Sequence, residues 1–510
     1  MKKKIMTLVS LLLASCMIFS GCGSGSSGDG GKDDLIVAVA AEPKSLDPQG
    51  ANDSDSTFVK HQIFDTFFVQ DENMEIQPGL IESWEYKDDV TLDMKVRENV
   101  TFHNGNALDA NDIYYTLERS IDSTYCAWQV DVIDIENTKV IDDYNIEVKL
   151  KQPCGPFLSQ LANLYVVDKE TVEEMGDEEF ANNPVGTGPF VFKDWVRSDR
   201  IELERNDNYW GEKPGYKNLV MRIITESSSR SIEVESGGVD IAFKIVASDV
   251  NRLSENPDVQ LIRGADFTLN FIGFDCTKEP FNDPLVRQAI SYAVDKESIV
   301  EAVYSGTGSV AKGPLPETVW GFNPNLPQYD YNPEKAKELL AQAGYPNGFS
   351  TTILTSDSQA RMDTAEILQN QLSDVGITAQ VEILENATYL QKIIDGGFDM
   401  YILGWTTDTG DADSGLYSTF YSTEPTWSNT ARYANPEVDK LLLEGKETTD
   451  QAKRLEAYQK AQELIVQDAP WIFLQEGENL TAARNNVQGL VSSPSGRYQL
   501  NKVSFGEAAQ

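Results

Sequence analysis

Between residues 351 and 403 the spacing of apolar residues switches repeatedly between two periods. Residues 351–354 read as a strand and about 359–375 as a helix that stops at Gly376. Residues 377–384 read as a strand, about 387–395 as a short helix stopped by Gly396-Gly397, and 398–403 as a strand. A βαβαβ run of this kind predicts a parallel-leaning sheet with covering helices. Ligands of such sheets lie beyond the carboxyl ends of the strands. That rule singles out the next segment, Gly404-Trp405-Thr406-Thr407-Asp408-Thr409-Gly410-Asp411-Ala412-Asp413. It offers an aromatic ring and several carboxylates where a rigid scaffold ends.

Elsewhere the elements are announced by their caps. Asp283-Pro284 and Asn332-Pro333 each open a helix with apolar residues at helical spacing, because Asp and Asn accept free backbone N–H groups and Pro suits the first turn. Asp109-Ala110-Asn111-Asp112 opens another, carrying Ile113, Leu117 and Ile121 on one face. Residues 34–40 read as a strand. The alternation in 91–96 and 145–150 predicts half-buried antiparallel strands.

Charge narrows the partners. The 510-residue chain has 42 Lys+Arg against 81 Asp+Glu, a formal net charge of -39. A phosphate backbone needs clustered Lys/Arg, so nucleic acid is excluded as the main partner. Hydrophobic residues at 40% and aromatics at 10% are enough for packed cores, and the length implies more than one domain.

Catalytic signals are sparse. The two histidines, His61 and His103, leave little for a His-based metal site or dyad. No G-x-S-x-G, P-loop or H-E-x-x-H pattern occurs. Gly306-Thr307-Gly308-Ser309-Val310-Ala311 loosely matches a dinucleotide fingerprint but follows a helix, so the phosphate-cradling geometry is missing. Asp408, Asp411 and Asp413 lack the later bidentate Glu that a calcium loop requires. No catalytic residue, metal ligand or cofactor is assigned. Paired carboxylates of a secreted glycan hydrolase remain an alternative, since acids are everywhere.

The N-terminus reads as an address. Met1-Lys2-Lys3-Lys4 precedes a mostly apolar run from Ile5 to Phe19, too short to span a bilayer as a helix. Phe19-Ser20-Gly21-Cys22 resembles a bacterial lipobox with Phe in place of the usual Leu. The resemblance implies a signal peptide over 1–21, a lipidated Cys22 and a flexible tether over 22–33. The expected location is therefore outside the cytoplasm, on the outer face of the bacterial cytoplasmic membrane, held only by lipid. Cys126, Cys154 and Cys276 remain in the body, where either a Cys126–Cys154 disulfide or buried free thiols fit.

Motifs in order along the body resemble the family 5 extracellular solute-binding proteins of ABC importers, the peptide/nickel group. They include Pro43-Lys44-Ser45-Leu46-Asp47-Pro48, Pro78-Gly79-Leu80-Ile81-Glu82-Ser83-Trp84 and Gly186-Thr187-Gly188-Pro189-Phe190. Arg205-Asn206-Asp207-Asn208-Tyr209-Trp210 and Val286-Arg287-Gln288-Ala289-Ile290-Ser291-Tyr292-Ala293-Val294-Asp295 continue the set. The resemblance implies an α/β, two-lobed periplasmic-binding-protein-like fold (type II, cluster C) with an extra subdomain giving three lobes. Domain Ia would comprise 34–61, 196–276 and 484–510, domain Ib 62–195 and domain II 277–483.

It also implies a non-enzymatic, monomeric protein that closes on a small solute, most of all an oligopeptide. The solute would pass to a membrane permease with its ATPase subunits. The same fold binding an oligosaccharide or chelated nickel is the alternative. Within the family, the segment Gly404-Trp405-Thr406-Thr407-Asp408 is similar to that of dipeptide binders. There the aspartate takes the ligand's ammonium, a role carried onto Asp408 with Trp405 and Gly404 beside it. Asn52, Asp53 and Ser54 correspond to a ligand-facing loop of the opposite lobe. Where dipeptide binders place an Arg for the ligand's carboxylate, this chain reads Thr355-Ser356-Asp357-Ser358, with Arg361 displaced toward the helix.

Overall fold

The computed structural model describes residues 32–506. The expected signal peptide, Cys22 and most of the expected tether lie outside them. No helix among the described residues is long and apolar enough to cross a membrane.

An eleven-stranded sheet runs through the molecule. Its centre is the antiparallel pair Val259–Phe274 and Trp471–Arg484. On one side of this pair lie Met400–Thr406, Ser350–Ser356 and Thr378–Leu384. Ser350–Ser356 pairs in parallel with both of its neighbours, the arrangement expected of the βαβαβ run. On the other side the order is Ile241–Ala242, Asp34–Val39, Asn218–Ile223, Arg200–Arg205 and Phe190–Val196. A separate four-stranded antiparallel sheet contains Ile81–Asp88, Thr91–Val96, Asn145–Lys149 and Lys139–Asp142.

The inner strands are buried on both faces, which explains their continuous apolar runs. Met400 and Ile402 pack into one core with Ile272, Ile290 and Leu368. Tyr401 and Leu403 point to the other, with Phe271, Leu416 and Trp471. A third core, from Phe67 to Val166, fills the part with the small sheet. Tyr165, Val172, Phe180 and Phe190 pack instead with Leu35, Val37 and Leu219. The expected 195/196 division thus falls inside the strand Phe190–Val196, which is a member of the large sheet.

The caps act as their chemistry demands. Asp109 accepts from Asn111 N and Asp112 N while Asp112 accepts from Asp109 N, a reciprocal box at the start of Ala110–Ile121. Pro284–Ala293 and Pro333–Gln342 begin at their prolines behind Asp283 and Asn332.

Two expectations need correction or closing. The last strand of the run does not end at 403: pairing with Val259–Phe274 carries it to Thr406, with Asn270 opposite Gly404 and Leu269 opposite Trp405. Gly404 and Trp405 are therefore strand residues, and the loop begins at Thr407. Of the two options for the cysteines, free thiols are found: Cys126 and Cys154 are buried and unbridged.

Candidate ligand-binding site

The loop after Met400–Thr406 is held from several directions. Thr407 N donates to Phe267 O at 3.0 Å, Gly410 N to Thr407 O at 3.1 Å and Trp320 N to Gly410 O at 2.9 Å. Gln70 Nε2, from the 62–195 part, donates to Thr409 O at 2.7 Å. Gly410 has φ +67°, and a Cβ there would stand 2.9 Å from both Met74 Sδ and Phe267 Cζ. A side chain would be strained and crowded at once. Asp411 ends the loop by capping Ala412–Phe420 through Asp413 N at 2.9 Å. It is also locked to Arg454 at 2.8 Å.

Asp408 projects from this clamped loop into a cleft that is in part open to solvent. The cleft is walled by Asn52 and Lys60 from one segment, Tyr125 and Trp128 from a second, and Arg497 from the last. Water reaches the Asp408 side chain, yet protein surrounds it closely enough that desolvation pushes its carboxyl above the usual range; the nearby Arg497 opposes the shift. No hydrogen bond from a described residue satisfies it. A carboxylate in this state favours a cationic partner.

The cations of the cleft differ in kind. Lys60 Nζ donates to Ala51 O at 2.5 Å, and burial pulls its pKa down to about 8. Arg497 has a buried Nε without any hydrogen-bond partner. Its charge also disfavours protonation of His61, which burial already pulls to about 3.

The segments named in the sequence separate here. Asn52 and Asp408 line the same cleft, although 62–195 and much of the large sheet lie between them in sequence. Asp53 instead caps Ser54–Ile63, accepting from Ser56 N at 3.0 Å and Ser56 Oγ at 2.8 Å. Ser54 Oγ accepts from Lys244 Nζ at 3.3 Å. A Cβ at Gly404 would meet Asn270 Oδ1 at 2.8 Å, so its smallness serves the neighbouring strand. Trp405 packs partly buried against the core and donates from Nε1 to Ser414 O at 3.4 Å. Asp411 and Asp413 do not converge with Asp408: Asp413 accepts from Tyr458 OH at 3.0 Å. Arg361 lies over the Tyr389 ring, with Nη1 3.3 Å from Ser356 Oγ, and is not part of the cleft wall. Lys60, Tyr125, Trp128 and Arg497 carry no motif, and only folding reveals them.

Residues 75–427 match the family described as bacterial extracellular solute-binding proteins, family 5 middle. The chain belongs to that family. It is 30% identical over 476 residues to the glutathione-binding protein GsiB of Escherichia coli (strain K12), covering 90% of this chain and 92% of that one. It is 31% identical over 452 residues to heme-binding protein A of Haemophilus influenzae, with 83% of each covered. Among solved structures it resembles HbpA2 of Haemophilus parasuis at 30% identity and TM-score 0.86, covering 93% of this chain and all of that one. The ABC transporter-associated periplasmic binding protein DppA of Helicobacter pylori, in complex with the peptide STSA, gives 30% identity and TM-score 0.77 with 93% and 98% covered. The periplasmic solute-binding fold is thereby established, and the family to which this chain belongs is one of ABC substrate-binding transport proteins.

Proposed function

We propose that this chain is a lipid-anchored, monomeric binding protein that captures a small amine-bearing solute, most of all an oligopeptide, and hands it to a membrane permease and its ATPase subunits. Cys22 would carry the lipid. Domains Ia (34–61, 196–276, 484–510), Ib (62–195) and II (277–483) would close on the solute by bending the two long strands that join them.

One observation carries the choice of ligand. Asp408 is a water-accessible, partly desolvated carboxylate with no hydrogen-bond donor among the described residues, on a loop fixed from both flanking regions. An ammonium group placed against it restores what desolvation removed. The relatives' names point to ligands of different chemistry. Glutathione and peptides have a free ammonium; heme has none. Asp408 favours the former.

The test is calorimetric titration and thermal unfolding with glutathione and free and N-acetylated peptides of two to six residues. The expected result is binding of a free-amine ligand, loss of at least tenfold in affinity on N-acetylation, and the same loss in Asp408→Asn, with unliganded stability kept. Equal binding of free and acetylated forms, or an unaffected Asp408→Asn, would overturn the reading.

A further inference from the structure

Resting on the reading of Asp408 as the ammonium partner, we infer that Arg497 is the specificity-determining partner of a carboxylate on the same ligand, so that the chain selects short zwitterions bearing both groups.

Acids outnumber bases by 81 to 42. Most arginines accordingly have found one: Arg119 pairs with Asp47, Arg205 with Asp207, Arg263 with Glu478 and Arg454 with Asp411. Others are engaged by backbone carbonyls, as Arg230 and Arg287 are. Arg497 has no carboxylate within ion-pair distance among the described residues, and its Nε is buried without an acceptor. Leaving a guanidinium N–H buried and unsatisfied is costly, because its hydration is lost and nothing replaces it.

Position supplies the second half. Arg497 lines the same cleft as Asp408 and its charge opposes the Asp408 shift, so the two opposite charges sense each other across the space without closing into an ion pair. Lys60, the other cation of the wall, is held by the carbonyls of Ala51 and Pro48. Arg497, with the Tyr165 hydroxyl beside it, therefore offers the positive group of this wall that no carboxylate of the described residues pairs with. A planar guanidinium presents parallel N–H donors that match a carboxylate, whereas a hydroxyl or amide gains much less from it. A cleft with an anion and a cation on its walls suits a compact ligand carrying an ammonium and a carboxylate.

Arg497 also borders a second, larger cavity lined by Thr66, Met74, Ser493 and Lys502. The guanidinium thus stands at the junction of the two spaces. A ligand whose carboxylate stops at Arg497 fills the first alone; a longer chain has to pass it.

The experiment measures affinities of the full chain for peptides of two to six residues, each as the free acid, the C-terminal amide and the N-acetyl form. It then repeats them with Arg497→Gln and Arg497→Lys. The expected result is a ten- to hundredfold preference for acid over amide, greatest for the shortest binding peptides. Arg497→Gln erases that preference while still discriminating against N-acetylation, and Arg497→Lys restores part of it. Amides binding as tightly as acids, or a preference that survives in Arg497→Gln, overturns the assignment of Arg497 and leaves that of Asp408 standing. Sensitivity to amidation without sensitivity to acetylation does the reverse. Binding of none of these peptides at millimolar concentration overturns both. The unliganded melting temperature of each variant separates a loss of recognition from a loss of fold: an Arg497→Gln chain that melts as the parent and has lost only the preference for acid over amide supports the proposal. If Arg497→Gln does not fold, Arg497→Lys decides, since an unchanged acid preference with altered donor geometry would overturn it.

Discussion

Asp411 and Arg454 meet at 2.8 Å in a place where both side chains are essentially buried. Asp411 belongs to the loop that carries Asp408, and Arg454 to the helix Gln451–Asp468. The same carboxylate accepts from Ser159 Oγ at 3.2 Å, a residue of the 62–195 part. Nearby, Gly155 N donates to Lys446 O at 2.7 Å, and a Cβ on Gly155 would clash with Arg454. The pair therefore joins the ligand loop, the helix behind it and the facing part of the molecule at one point.

Removing one member of such a pair leaves the other charge buried. Arg454→Met should lower stability by about 3–5 kcal/mol, more than a surface ion pair could. The double variant Arg454→Met/Asp411→Asn should lose less than the single one, because no bare carboxylate remains. Denaturant unfolding of the four forms measures the coupling. A fully additive double variant would show that the ion pair contributes no stability.

The sequence made the local parts of this arrangement readable and the distant parts opaque. Helices beginning at Pro284 and Pro333 follow from adjacent residues, since a cap and a proline act within one turn. The order of strands and helices from 350 to 406 follows from apolar periodicity. The true end of Met400–Thr406 does not, because the strand opposite, with Leu269 and Asn270, is more than a hundred residues away in sequence. For the same reason Trp405 reads as a loop aromatic when it is a core-packed strand residue. Asn52 and Asp408 were legible through motif resemblance. Arg497 was not: it sits in the ordinary stretch Ser495-Gly496-Arg497-Tyr498, and its place beside Asp408 arises only when the C-terminal segment returns to the cleft.

The thiols give a second prediction. Cys126 and Cys154 are buried and free, and burial pushes the Cys154 thiol up to about 12. A thiol so raised carries little thiolate at neutral pH and reacts slowly. Reductant should leave the melting temperature unchanged, and maleimide should label Cys126 and Cys154 only after denaturant is added. A drop in melting temperature on reduction would reveal a disulfide.

Glu476 gives a third, through pH. It lies on Trp471–Arg484 opposite Leu269, where the pairing with Val259–Phe274 shifts register. Its Oε2 accepts from Glu317 N at 3.2 Å, while Oε1 is buried without a partner. Desolvation raises its carboxyl from 4.5 to about 7; the charge of Glu317 adds to this and Lys312, paired with Glu317, opposes it. Between these values the folded chain keeps a proton that the unfolded chain has released. Stability from this group is therefore full below about pH 4.5 and is lost as pH rises through about 7, a change of about 3 kcal/mol at most. Glu476→Gln should accordingly be close to neutral at pH 5 and stabilising at pH 8. His61 and His103, pulled down to about 3 and 4, impose the opposite slope in parent and variant alike, destabilising both as pH falls below 6.5. The difference between the two unfolding curves across pH thus isolates Glu476. A difference that does not grow with pH would mean that this carboxylate keeps its charge in the folded chain.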